Sequence, residues 1–293
     1  MMYNNLGYYE LPCSSCSAPI DINSVVCEHC GTASPQPITV KRALLASEVE
    51  ALSKRYDAAK SALEVKGLWE EIGAFEKIVD EEGHAVINLN FTFLWDWLMH
   101  GSKEYQGYRR SVLDGSINRS KFENDRDRSV VESILFGTAV DIIYAALSLD
   151  GFGLKSYGPI SVVLKTSAIE ARTSLLEMNS YKFVDIAEKK GWTRREPLPQ
   201  GSFAPWVHKE KLALVKCHDM LTKHCSVKQA SSMILYSNGE RSTDEFLELY
   251  IYGKLASSVV EKIKLPKHLV ASFNPKEKVQ YNELKRKHHV EEF

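Results

Sequence analysis

Apolar residues recur at three- and four-residue steps from Val40 through Leu44, Val49, Leu52, Tyr56, Ala59 and Leu63, with Lys, Arg and Glu between them. That spacing puts them on one stripe and predicts a long amphipathic helix beginning near Thr39. Gly67 ends or bends it, and Leu68, Ile72 and Phe75 carry the stripe on to about Val79. From Ala85 the texture becomes mixed. Ala85 to Asn90 alternates as a half-buried strand does, and Phe93 to Met99 reads as a short buried helix. The segment Ser129 to Leu149 is expected to be one helix, with Val130, Ile134, Val140, Ile143 and Leu147 on its apolar side, stopped by Asp150-Gly151.

Further along, Ile160 to Lys165 reads as a buried strand, Phe183 to Lys190 and Lys209 to His224 as helices, and Met233 to Tyr236 as a strand before the turn Ser237-Asn-Gly. The clearest strand pattern is Phe246 to Tyr252. Strict alternation puts Phe246, Glu248, Tyr250 and Tyr252 on one face and Leu247, Leu249 and Ile251 on the other, so one face is aliphatic and the other is aromatic with a single carboxylate. Lys276 to Phe293 is charged and expected to be partly frayed.

Residues 11–32 break these patterns. They hold few apolar side chains besides cysteine, too few to offset the entropy of ordering the backbone. Their cysteines fall as C-x2-C-x10-C-x2-C: Cys13, Cys16, Cys27 and Cys30. Two such turns bring four thiolates to one tetrahedral ion, and Gly31 supplies the permissive backbone the second turn needs. A structural Zn²⁺ with no position open to water is expected, in a zinc ribbon that unfolds without its metal. Ribbons of this kind bind nucleic acid, bind proteins or brace a neighbouring domain. With Lys41 and Arg42 the only basic residues close by, the protein-facing roles are favoured. A second cluster, Cys217-His218 and His224-Cys225, is not expected to ligate metal, because two helical turns separate its halves by about 10 Å.

The order of elements divides the chain into a zinc ribbon (1–34), a helical linker (35–83) that packs on the main domain or oligomerises, an α+β domain (84–274) and a charged tail (275–293). The 293 residues carry 37 Lys and Arg against 38 Asp and Glu, a formal charge of −1, which gives no global electrostatic reason to bind nucleic acid or an anionic membrane. No apolar run is long enough to span a bilayer and the N-terminus lacks signal-peptide character, so a cytoplasmic location is expected. The same reducing setting favours metal ligation over disulfides for the paired cysteines. Motifs for a zinc protease, a P-loop or a serine hydrolase elbow do not occur.

Several stretches, in order and spacing, resemble an uncharacterised bacterial family: Gly107-Tyr-Arg-Arg-Ser-Val-Leu-Asp-Gly-Ser-Ile-Asn, Arg126-Asp-Arg-Ser-Val-Val-Glu-Ser-Ile-Leu-Phe-Gly, Tyr144-Ala-Ala-Leu with Tyr157-Gly-Pro-Ile-Ser-Val-Val-Leu-Lys, Arg172-Thr-Ser with Asn179-Ser180, and Phe246 to Leu255. Where the family pattern has Gln and His after its glutamate, this chain has Tyr250 and Tyr252; the glutamate is kept as Glu248. That family is similar in organisation to ADP-ribosyltransferase-like toxins and effectors. The resemblance implies a mixed α/β domain, NAD as substrate, and an intracellular toxin or antiviral effector that transfers ADP-ribose to a macromolecular acceptor, with a protein partner or inhibitor as a further candidate. It assigns Glu248 beneath the ribose, Arg109 on the pyrophosphate and Ser116 beside the sugar, with Asn118, Tyr144, Tyr157, Arg128, Glu132 and Arg172 as further ligand-binding positions. Read on their own, Arg128 and Glu132 make an ordinary i,i+4 ion pair, and Arg172 with Asn179 and Ser180 makes turn and cap contacts. A zinc-ribbon binding protein without catalysis is the alternative.

Overall fold

A computed structural model describes residues 10–12, 16–21, 27, 29–32, 37–100, 104–116, 125–137, 141–193 and 198–293. Near the N-terminus a pair of short strands, β1 (Glu10–Pro12) and β2 (Pro19–Asp21), runs antiparallel. Helices α1 (Ile38–Ala43), α2 (Ala46–Val65) and α3 (Trp69–Glu82) follow. Then come β3 (His84–Leu89), α4 (Phe91–Met99), α5 (Tyr108–Leu113), α6 (Asp125–Phe136), β4 (Ile142–Ser148), β5 (Ile160–Leu164), α7 (Thr166–Ile169) and β6 (Thr173–Leu176). The chain continues through α8 (Ser180–Lys189), β7 (Phe203–Pro205), α9 (Lys209–Cys217), α10 (Val227–Ile234), β8 (Glu248–Tyr252), β9 (Val260–Leu265), α11 (Lys267–Ser272), α12 (Pro275–Lys287) and β10 (Val290–Glu292).

Eight strands form one mixed sheet in the order β10-β9-β5-β3-β4-β8-β6-β7, antiparallel except for the β10–β9 pair. Both faces are covered. On one face Leu247, Leu249 and Ile251 join the aliphatic side chains of β3, β4 and β5 and meet α2, α3, α9 and α10. On the other, Ile142, Leu176, Phe203 and Tyr250 meet side chains of α1, α6 and α8. The two-faced chemistry expected of this strand is realised from Leu247 to Tyr252 as the boundary between these two cores, while Phe246, before β8 begins, packs with Ala146 and Leu154 in a small separate cluster.

The helix expected from Thr39 is broken at Leu44 and Leu45, and the break has a clear cause. α1 lies on the aromatic face, with Ile38, Ala43 and Leu45 in its core, whereas Leu52 and Leu63 of α2 lie in the aliphatic core. Both helices touch β7, so the chain folds over this edge of the sheet and cannot stay straight. Gly67, with φ 72°, closes α2 as expected.

Four further expectations are corrected. Ser129 to Leu149 is not one helix: α6 ends at Phe136, Gly137 takes φ 61°, and β4 follows as a central strand buried on both faces. Such a strand is apolar at every position and therefore fits helical spacing by chance. Met233 and Ile234 belong to α10, opened by a capping box between Ser226 and Gln229. The helix from Lys209 stops at Cys217. The charged C-terminal segment is ordered: Asn274 and Glu277 form a capping box on α12, Tyr281 and Leu284 are buried, and β10 pairs with β9.

Candidate metal centre and a polar cluster on the sheet

Near the N-terminus the thiols of Cys16, Cys27 and Cys30 lie within 4.8 Å of one another, close enough to hold a metal ion. Cys16 Sγ and Cys27 Sγ are 3.6 Å apart. Sulfurs on a tetrahedral zinc, with bonds of about 2.3 Å, stand about 3.8 Å from each other. The second turn is a tight knuckle in which Gly31 N–H donates to Cys27 O and Cys27 N–H donates to Thr32 O, with Gly31 at φ 70°. Cys27 is buried and Cys30 exposed. Thiolates at this spacing fit a soft or borderline cation such as zinc. Cys13 lies outside the described residues. The Cys217 thiol is buried in the aliphatic core, which pushes its pKa up to about 12, so it is inert packing.

The second candidate begins where two strands diverge. β3 pairs with β4 over three residues, His84↔Ser148 to Val86↔Ala146, although β3 continues along β5 to Leu89 and β4 continues along β8 back to Ile142. Beside the first residue of β4 comes Gly107 instead. It packs so closely on Ile142 that an added Cβ would run into the Ile142 carbonyl. This contact seats α5 against β4 and delivers Arg109 and Arg110 to the sheet. Arg110 clamps Asp141 through two 2.7 Å hydrogen bonds, Nε to Oδ1 and Nη2 to Oδ2, and the Asp141 carboxyl is held below the usual range by that bonding and charge. Arg109 turns the other way, with Nε 3.6 Å from Glu132 Oε2 and Nη1 donating to Gly137 O at 3.3 Å.

Glu248 is buried, 5% exposed, on the aromatic face. Its Oε2 accepts the Ser180 N–H at 2.7 Å and the Tyr250 hydroxyl at 2.9 Å. Ser180 is the first residue of α8, whose Asn179 cap accepts from Tyr181 N–H and Lys182 N–H. The carboxylate therefore sits at the positive end of a helix. Tyr250 is wedged by rings of Phe136, Tyr144 and Phe203 at centroid distances of 4.7, 5.5 and 6.2 Å. Burial and then the Glu248 charge hold its phenol proton well above the ordinary tyrosine range. Lys182 and Glu245 close an ion pair from α8 to the segment entering β8.

Of the residues singled out from the sequence, Arg109, Glu132, Tyr144 and Glu248 thus come to one face of the sheet from α5, α6, β4 and β8. Others are engaged differently. Ser116 bonds Asp114 within its own turn. Tyr157 is partly exposed beneath the Arg241 guanidinium, 4.5 Å from the ring centroid. Arg172 donates to the carbonyls of Ala168, Tyr252 and Lys254, a brace between β6 and the end of β8. Arg128 is described only by its place in α6, and Asn118 lies outside the described residues. Tyr250 and Ser180, which hold Glu248, were not singled out as ligand-contacting residues. The one sequence signal for Tyr250 is its place two residues from the carboxylate on the same strand face.

No model of a known protein family matches the sequence, and no curated protein matches it significantly. Among the described residues no helix is long and apolar enough to cross a membrane.

Proposed function

We propose that this chain cleaves NAD at the nicotinamide–ribose bond on the aromatic sheet face and passes ADP-ribose to a macromolecule or to water, as an intracellular effector. One observation supports the reading: Arg109, Glu132, Tyr144 and Glu248, far apart in sequence and named by the resemblance to ADP-ribosyltransferase-like effectors, come to one face of the sheet, where the Glu248 carboxylate is buried and hydrogen-bonded. A carboxylate fixed near a sugar stabilises the cationic ribose of the transition state more than the ground state. The C1′–N bond breaks with its electron pair going to the nicotinamide nitrogen; the acceptor's oxygen or nitrogen bonds C1′ and releases a proton. Arg109, held by Glu132, is the cation for the pyrophosphate. For the N-terminal metal centre, we assign Cys13 as the fourth thiolate completing a structural zinc site with Cys16, Cys27 and Cys30.

A second reading is favoured by the deep burial of Glu248 and its internal hydrogen bonds, both usual for a structural carboxylate: a zinc-ribbon protein that binds a partner without catalysis. Incubating the purified chain with NAD and measuring free nicotinamide separates the two. Release that is lost in Glu248→Gln at unchanged fold supports catalysis. Equal release by the variant removes Glu248 from the chemistry, and none by either protein across candidate acceptors leaves the binding protein.

A further inference from the structure

Glu248 is held from along its own strand and from a helix end. Opposite it stand Ala146 on β4 and Leu176 on β6, whose side chains have no polar hydrogen to donate. Tyr250 lies two residues further along β8 and therefore on the same face, where its hydroxyl donates to Glu248 Oε2 at 2.9 Å. The Ser180 N–H at the start of α8 donates to the same oxygen at 2.7 Å. Because both bonds end on Oε2, the carboxylate cannot rotate without giving up two donors at once.

Tyr250 is fully buried, and its ring is gripped by those of Phe136, Tyr144 and Phe203. Packing therefore decides where the hydroxyl sits, and the hydroxyl helps decide where the carboxylate sits. Burial, and then the Glu248 charge, hold the phenol proton on well above the ordinary range, so Tyr250 is a neutral donor at every working pH. A neutral group that gives its hydrogen to the ionised form of a carboxyl favours that form, against the desolvation that opposes it at a buried site. Phenylalanine at this position would keep the ring and remove only the hydroxyl, which separates the bond from the packing.

We propose that Tyr250 is the positioning residue of this site: its hydroxyl, donated to Glu248 Oε2, keeps the carboxylate ionised and in one orientation before any substrate arrives. The role in catalysis rests on the reading of the site as NAD-cleaving, whereas the hold on the carboxylate is measurable without NAD. A negative charge fixed in advance needs no reorganisation as the ribose becomes cationic, and that is where such a bond contributes to rate. Tyr250 acts through Glu248 and does not itself meet the sugar. Ionisable groups on the elements around this face are Tyr144 on β4, Arg42 on α1, Arg109 on α5, Glu132 on α6 and Lys182 on α8. All of them are unaltered when the Tyr250 hydroxyl is removed.

The test compares the full wild-type chain with Tyr250→Phe, and with Tyr252→Phe as a control that removes the next hydroxyl along the same face. Two quantities are followed against pH: nicotinamide release from NAD, and the side-chain carboxyl signal of Glu248 in chain labelled with carbon-13 glutamate, assigned by its absence in Glu248→Gln. In Tyr250→Phe, kcat should fall on the order of tenfold at neutral pH, with KM for NAD changed by less than about twofold. The acid limb of kcat and the carboxyl titration should both move up by about one pH unit, because a bond to the charged form has been lost. Tyr252→Phe should leave both curves in place. A merely structural Tyr250 would lower kcat at every pH through a smaller folded fraction and move neither curve. A carboxyl titration in Tyr250→Phe that coincides with wild type overturns the proposal, as does an equal displacement in Tyr252→Phe. Absence of nicotinamide release by the wild type sinks the NAD reading and the catalytic role with it, and the carboxyl titration then decides by itself whether Tyr250 holds Glu248.

Discussion

Replacing Glu248 by Ala removes an acceptor from at least two buried donors, the Ser180 N–H at 2.7 Å and the Tyr250 hydroxyl at 2.9 Å. A buried donor left without its partner costs about 1–3 kcal/mol. Water entering the vacated space recovers some of this, so the net loss is set at about 2–4 kcal/mol. For a chain of 293 residues that corresponds to a fall in melting temperature of about 3–7 °C. Glu248→Gln keeps one carbonyl oxygen to accept a hydrogen bond but loses the charge at the start of α8, and is expected to cost about 1–2 kcal/mol. Thermal melts followed by circular dichroism, with nicotinamide release measured on the same samples below the transition, read stability and chemistry separately. The expected order of stability is wild type, then Glu248→Gln, then Glu248→Ala. An alanine variant that melts with the wild type would falsify the hydrogen-bonded burial of this carboxylate, whatever the activity result.

The remaining expectations concern metal, packing and pH. The purified chain should carry one zinc per molecule by elemental analysis, lost in Cys27→Ser but retained in Cys217→Ser, whose thiol is packed away from solvent. Gly107→Ala must push α5 off the Ile142 carbonyl and should cost about 1–3 kcal/mol in denaturant melts; a neutral result would mean that α5 does not pack there. Glu48, fully buried, accepts from Ser202 N–H and Phe203 N–H at 2.7 Å each, so Glu48→Ala should lose about 2–4 kcal/mol and Glu48→Gln less. The Asp141 carboxyl is held below its unfolded value of 3.8 by Arg110, so its stabilisation is complete above about pH 4 and is lost as pH falls through the lowered folded value. The stability gap between wild type and Asp141→Asn should therefore close on acidification, and a gap that widens would reverse the argument.

What the sequence disclosed depended on how local each signal was. Leu247 to Tyr252 was legible because its two faces meet different cores, aromatic against aliphatic, and the alternation survives burial on both sides. β4 lacked that contrast: Ile142, Ile143, Ala145 and Leu147 are apolar regardless of face, and only Gly137 marked the end of the helix before it. The capping boxes of α10 and α12 stood in plain view as Ser226 with Gln229 and Asn274 with Glu277, yet short or charged segments around them hid their helices. The polar cluster lay beyond reach for a different reason. It exists only because β4 pairs with β8 across a long intervening stretch of chain and because Gly107 admits α5 beside Ile142, and no local pattern encodes either contact.

β7 is the outermost strand at one side of the sheet, where an open row of donors would invite a neighbouring molecule to add a strand. Glu48 reaches over from α2 and takes the amide hydrogens of Ser202 and Phe203, while Pro205 has none to give. A side-chain carboxylate thus stands in for a missing strand, and the border is sealed against runaway stacking between molecules.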